Sequence, residues 1–175
     1  MRILSDSDLP SKLSSTNFLF LDTNTLVTAV NYEEYGQILN KIKDAGCALL
    51  TIPSVAFEFT RGSDNIDIYN SRADFLNSIA TVFNIEKDLE NAKELIVALQ
   101  KIASDASYTD FLLGICSGKY QCGVLTENHK HFPLSVFDRK FLITIDTDKE
   151  NVRTHAVYFL SVSKLHKAAE NIVKK

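Results

Sequence analysis

The chain has no tryptophan, one methionine and only three prolines, and its six glycines build no low-complexity tract or internal repeat over 175 residues. Its three cysteines, Cys47, Cys116 and Cys122, are an odd number and form no CxxC pair. This pattern argues against a zinc site or disulfide framework, and the three are expected to be small core or near-core residues. No apolar run approaches the roughly 18 residues that a membrane span requires. Met1 to Ser15 is polar and shows no secretory leader pattern, so a cytoplasmic location and no membrane partner are expected. What is present is ordinary for a globular protein: 45% apolar and 23% charged residues, with no interdomain linker, which predicts one domain spanning 1–175.

Charge is unevenly distributed. The net charge is −3, but residues 1–117 hold 16 acids against 9 Lys/Arg, and residues 118–175 hold 6 acids against 10 Lys/Arg. A basic C-terminal third beside an acidic remainder could face a polyanion, but charge alone favours the simpler reading of a solvated helix face.

Patterning predicts alternating strands and helices. A polar lead-in over 1–16 is irregular or weakly helical, and a strand comes next at 18–22. Short and longer helices are expected at 24–30 and 34–45, the second closed by Gly46. A strand at 47–52 leads into a helix opened by Pro53 and ending near Gly62. Helical stripes cover 66–80 and 86–103, with a short strand at 81–85 between them. A helix from Ser107 to Gly118, strands at 123–126, 141–145 and 157–162, and a closing helix at 163–174 complete the reading. The alternation implies an α/β fold with a mostly parallel sheet covered on both faces.

Four positions place polar groups in apolar surroundings. Phe18-Leu19-Phe20-Leu21 ends abruptly at Asp22, as a buried strand would end in delivering a carboxylate to its C-terminal tip, the edge where open α/β sheets bind ligands. Asp22 is also a ready helix N-cap. Glu58 lies between Phe57 and Phe59, with Arg61 available as an alternative ion-pair partner. Asp110 stands after Ser107 at capping-box spacing. Thr126-Glu127-Asn128-His129-Lys130-His131 comes directly after the apolar Val124-Leu125. Buried acids are costly without a positive partner, and a shared divalent cation would be one.

In this order and context, the four segments resemble a PIN domain, the nuclease fold of VapC-like toxins and other RNA-cleaving proteins. Phe20-Leu21-Asp22-Thr23-Asn24 resembles the family's opening strand, and Pro53 to Glu58 its P-x-x-x-x-E helix. Thr109-Asp110-Phe111-Leu112-Leu113-Gly114 is similar to its D-x-x-I-A-A helix, and Val124 to Phe132 to its last strand and loop. The motifs span 18–133; residues 134–175 would be C-terminal strands and helix of the same domain.

The resemblance implies a three-layer α/β/α sandwich and an endoribonuclease that uses Mg²⁺ or Mn²⁺. Asp22, Glu58 and Asp110 would hold the metal and, with Asn128, form the catalytic set. Thr23, Asn24 and Thr126 would orient Asp22 from behind. His129, Lys130 and His131 are candidates for nucleic-acid contact. RNA is the implied substrate, cut to a 5′-phosphate and a 3′-hydroxyl, and an antitoxin that blocks the cleft and a homodimer are the implied partners. The departure is in the fourth motif, where Asn128 and His131 stand at positions that carry aspartate in many active members and Glu127 is the nearest acid. Two alternatives stay open: a non-catalytic module of the same fold that binds nucleic acid or protein, and a haloacid-dehalogenase-like phosphatase built on Asp22-Thr23-Asn24-Thr25 and Thr144 to Asp148.

Overall fold

The structure, a computed structural model, describes residues 2–5, 13, 16–61, 65–85, 89–148 and 151–173. Among these residues the strands are β1 (Arg2–Ser5), β2 (Phe18–Leu21), β3 (Ala48–Thr51), β4 (Thr81–Val82), β5 (Gly123–Thr126), β6 (Phe137–Asp148) and β7 (Asn151–Leu160). The helices are α1 (Thr23–Asn31), α2 (Glu33–Asp44), α3 (Pro53–Arg61), α4 (Ile66–Ile79), α5 (Lys93–Ile102), α6 (Tyr108–Tyr120) and α7 (Val162–Val173), with a short 3₁₀ turn at His129–His131.

The strands form one mixed sheet in the order β1-β6-β7-β5-β2-β3-β4. From β5 to β4 every pairing is parallel, and from β1 to β5 every pairing is antiparallel. The parallel half stems from composition. Leu19, Phe20 and Leu21 are buried in β2 and Val124 and Leu125 in β5, the continuous apolar strands that a sheet covered on both faces requires. The helices fall into two groups. Helix α1 packs on α2 and α3, and α3 on α4; α5 packs on α6 and α7, with α6 also against β2, β5 and β7. All three cysteines are buried and unbridged.

Several boundaries differ from the sequence reading. The lead-in contains β1, which pairs antiparallel with β6. The strands expected at 141–145 and 157–162 are the middle and end of two long strands that pair with each other along most of their length. The strand expected over 81–85 is two residues long. The helix expected over 86–103 is interrupted. Ala92 N–H bonds the Leu89 carbonyl in a tight turn, and regular helix begins only at Lys93; positions 86–88 lie outside the described residues. Helix α6 runs past Gly118 to Tyr120 and is capped by Gln121 at φ 51°. A Cβ on Gly118 would collide with Leu160 and Leu95, so this glycine serves close packing rather than termination. Gly46 does take the expected stop role, at φ 95° after α2.

Register positions the site. Leu21 pairs with Leu125 and Phe20 with Leu50, so β2, β5 and β3 end side by side. Asp22, Thr126 and the Pro53 end of α3 therefore share one edge of the sheet.

Candidate functional site

Asp22 is the N-cap of α1. Its Oδ1 accepts the Thr23 N–H at 2.6 Å, so the capping and site readings of this residue coexist. Its Oδ2 accepts from Asn24 Nδ2 at 2.8 Å and from Thr126 Oγ1 at 2.6 Å. Asn24 is itself fixed, because its Oδ1 accepts the Glu127 N–H at 3.0 Å and ties the β2 tip to the loop after β5. Thr126 Oγ1 in turn accepts the Asn128 N–H at 2.8 Å. Asp22 is only 4% exposed. Desolvation pushes its carboxyl up to about 6, with the charges of Asp110 and Glu58 adding to the rise and the Thr126 and Thr23 hydrogen bonds opposing it.

Glu58 arrives from α3, whose Val55 and Phe59 face the core while Phe57 is exposed. Its two oxygens take separate hydroxyl donors: Oε2 accepts from Thr23 Oγ1 at 2.9 Å and Oε1 from Thr109 Oγ1 at 2.5 Å. Arg61, the alternative partner, instead lies over the Phe57 ring. Asp110 stands at the third residue of α6, where Ser107 Oγ accepts its N–H at 3.1 Å and donates to its Oδ2 at 2.5 Å. The same oxygen accepts from Asn128 Nδ2 at 2.9 Å and meets His131 Nδ1 at 2.6 Å. His131 Nδ1 also lies 2.8 Å from Asn128 Nδ2, so the ring tautomer decides which contact is a hydrogen bond.

These side chains line one cleft of about 420 Å³, bounded by Asp22, Thr23, Asn24, Glu58, Thr109, Asp110, Asn128, His131 and Arg153, among others. Of the other predicted residues, Thr126 lies beneath Asp22. Glu127 meets Arg153 at 3.8 Å. His129 turns to Tyr158, with Nδ1 2.8 Å from the phenol oxygen. Lys130 lines a neighbouring depression that shares His131 with the cleft. Ser107, Thr109 and Arg153 belong to the site and were not singled out from sequence for it. Ser107 carried a capping signal only, Thr109 lay inside a recognised motif as filler, and Arg153 carried no signal.

The donor set suits a hard divalent ion, since the carboxylates contribute only oxygen and the thiols are buried elsewhere. As arranged, each carboxylate is engaged by its own hydroxyl donors, and among the described residues no three acid, histidine or cysteine side chains are close enough to share an ion. No described helix is long and apolar enough to cross a membrane. No protein-family model, curated protein or solved structure matches the chain.

Proposed function

We propose that the protein is a metal-dependent endoribonuclease with a PIN-like, three-layer α/β/α architecture, its acids gathered at the parallel half of the mixed sheet. One observation carries the reading. Carboxylates from three separate segments, Asp22, Glu58 and Asp110, line a single cleft beside Asn128, and their mutual repulsion adds to burial in raising the Asp22 carboxyl. Such a cluster gains most from a cation.

Asp22, Glu58 and Asp110 would hold Mg²⁺ or Mn²⁺, whose chemistry there is to polarise a phosphate oxygen and lower the pKa of a water for in-line attack. The chain's own residues prepare that event. Asn24 and Thr126 orient Asp22, and Thr23 and Thr109 orient Glu58. Asn128 offers an amide donor to the scissile phosphate. Water adds to phosphorus, the 3′ oxygen leaves with a proton, and the products carry a 5′-phosphate and a 3′-hydroxyl. RNA fits better than a small phosphate ester. The exposed rings of Phe57 and Tyr108, 64% and 69% accessible, each adjoin a cleft residue in the chain and offer stacking faces to unpaired bases. The toxin role, an antitoxin that blocks the cleft, the homodimer and a cytoplasmic location belong to this proposal alone.

The test is cleavage of single-stranded RNA by purified protein with Mg²⁺ or Mn²⁺. Asp22→Asn should lower the rate on the order of a thousandfold while the protein stays folded. Cleavage by Asp22→Asn at the wild-type rate would remove Asp22 from the mechanism.

A second reading, a non-catalytic module of the same fold, has its own support. Asn128 and His131 occupy Asp110, two threonine hydroxyls occupy Glu58, and among the described residues no three such side chains are close enough to share an ion. RNA binding without metal uptake in calorimetry and without cleavage would favour it. The phosphatase alternative is weaker. Its second acidic segment includes Asp146 on β6, three strand positions from β2 and thus on the order of 14 Å away along the sheet.

A further inference from the structure

We propose that Arg153 is the substrate-binding cation of the cleft and takes a backbone phosphate of single-stranded RNA; this rests on the nuclease reading and deepens it. Arg153 comes from β7, a strand outside every segment that supplies an acid, yet its side chain lines the same cleft as Asp22, Glu58 and Asp110. Its backbone is anchored, since His155, two residues on and therefore on the same face of the strand, is fully buried. The guanidinium itself is weakly engaged. Nη1 lies 3.8 Å from Glu127 Oε2, with both side chains open to solvent at 42% and 31% exposure. It lies 3.4 Å from Thr28 Oγ1, at the long limit of a hydrogen bond. An exposed pair of that length holds little energy, so the fork is available to an incoming group.

Charge balance says which group. Three carboxylates with one divalent ion leave the centre with a charge of −1, and a phosphodiester adds another. A polyanion entering that field needs a further cation near the acids. Arg153 is the permanently charged side chain of the cleft, and its planar fork matches two phosphate oxygens. Lys130 borders the neighbouring depression and does not line the cleft, and His129 is turned to Tyr158.

The experiment separates binding from cleavage by using Asp22→Asn as the parent. A fluorescent single-stranded RNA oligonucleotide is titrated with the parent and with Asp22→Asn carrying Arg153→Ala, Arg153→Met or Arg153→Lys, over a series of potassium chloride concentrations. Thermal melts check each fold, and Arg153→Met retains the stem should Arg153→Ala fail to fold. The neutral variants should bind about tenfold more weakly, and the slope of log affinity against log salt should fall by about 0.7, one phosphate contact on a single strand. Arg153→Lys should restore the slope but only part of the affinity, since it keeps the charge and loses the fork. An unchanged slope in Arg153→Met, or no RNA binding by the parent, overturns the proposal. The two readings fail separately. If the wild type neither takes up Mn²⁺ nor cuts RNA while the slope still depends on Arg153, the nuclease assignment falls and this inference stands. If RNA is cut and the slope ignores Arg153, the reverse holds.

Discussion

The two halves of the sheet divide the work differently. In the parallel half, β2, β3 and β5 are four residues each and end together, so the residues at or just beyond each tip gather at one edge: Asp22, the start of α3 that carries Glu58, and Thr126 with its loop. In the antiparallel half, β6 and β7 are twelve and ten residues long, and their ends alternate between opposite edges. Among the described residues of β6 and β7, Arg153, partway along β7, is the side chain that reaches the cleft. Parallel strands concentrate chemistry because their C-terminal tips share an edge; an antiparallel ribbon contributes through its face.

The sharpest way to break this comparison is pH, because each half buries a group whose shift falls in the acid range and the two oppose each other. Asp22 is raised from 3.8 to about 6, chiefly by desolvation. Its folded value lies above its unfolded one, so its protonation stabilises the fold: the cost of holding it charged is absent below pH 3.8 and complete above about 6. His155, on β7, is lowered from 6.5 to about 4, again chiefly by desolvation; the backbone of Asn24 opposes the drop, and the charges of Arg153 and His129 add to it. It is fully buried, and among the described residues its ring nitrogens make no hydrogen bond of full geometry, the Asn24 backbone being their nearest polar support. Its stabilising neutral form is complete above pH 6.5 and lost as pH falls through about 4. Each shift corresponds to about 3 kcal/mol. In metal-free protein the two should nearly cancel. Relative to the wild type, Asp22→Asn should lose about 3 kcal/mol between pH 7 and pH 4, and His155→Leu should gain about as much. Denaturant unfolding in a chelator across that range measures both; variants that run parallel to the wild type would show that the groups do not oppose.

The same division sets how much was legible in the sequence. Asp22 could be found because a parallel strand buried on both faces needs an unbroken apolar run, and an acid ends it visibly. Glu58 and Asp110 were ambiguous locally and remain double in the structure, since Asp110 is at once the partner of the Ser107 cap and a wall of the cleft. Arg153 was not legible. Its place depends on β7 docking beside β5, a pairing between segments some thirty residues apart, Thr126 opposite Ala156. The break before α5 was hidden for a different reason. Ile85, Ala92 and Leu99 all face the core, so the apolar period continues across a turn that interrupts the backbone. Periodicity reports which side is buried, not whether the helix is continuous. β1 escaped notice because its partner, β6, lies about 140 residues along the chain, Arg2 opposite Asp146.

The seam between the halves offers a smaller test. Gly123 opens β5, the strand paired parallel to β2 on one side and antiparallel to β7 on the other. A Cβ there would stand 2.6 Å from Val157 Cγ1 and 2.9 Å from Leu19 Cδ1, one from each half. Gly123→Ala should therefore cost about 1–3 kcal/mol through forced repacking. In a chain of this length that lowers Tm by roughly 2–4 °C per kcal/mol. Calorimetry in chelator measures it. An unchanged Tm would mean that the halves slide apart at little cost and that the cleft's geometry does not depend on a fixed seam.

The smallest effect concerns equal substitutions in unequal places. Thr109 is buried and its hydroxyl donates to Glu58, whereas Thr154, on β7, is half-buried and lies outside the cleft. Thr109→Val keeps the shape and removes the donor, so Glu58 loses one of its two fixed hydroxyls and water must replace it. Stability should fall by about 1 kcal/mol, and Mn²⁺ affinity by calorimetry should fall about tenfold, as for other groups that orient a ligand from behind. Thr154→Val should move neither quantity measurably, since a β-branched residue on a strand is replaced by another. Equal losses of metal affinity in the two variants would mean that any bound ion is held by the fold's general charge and not by carboxylates set in place in the cleft.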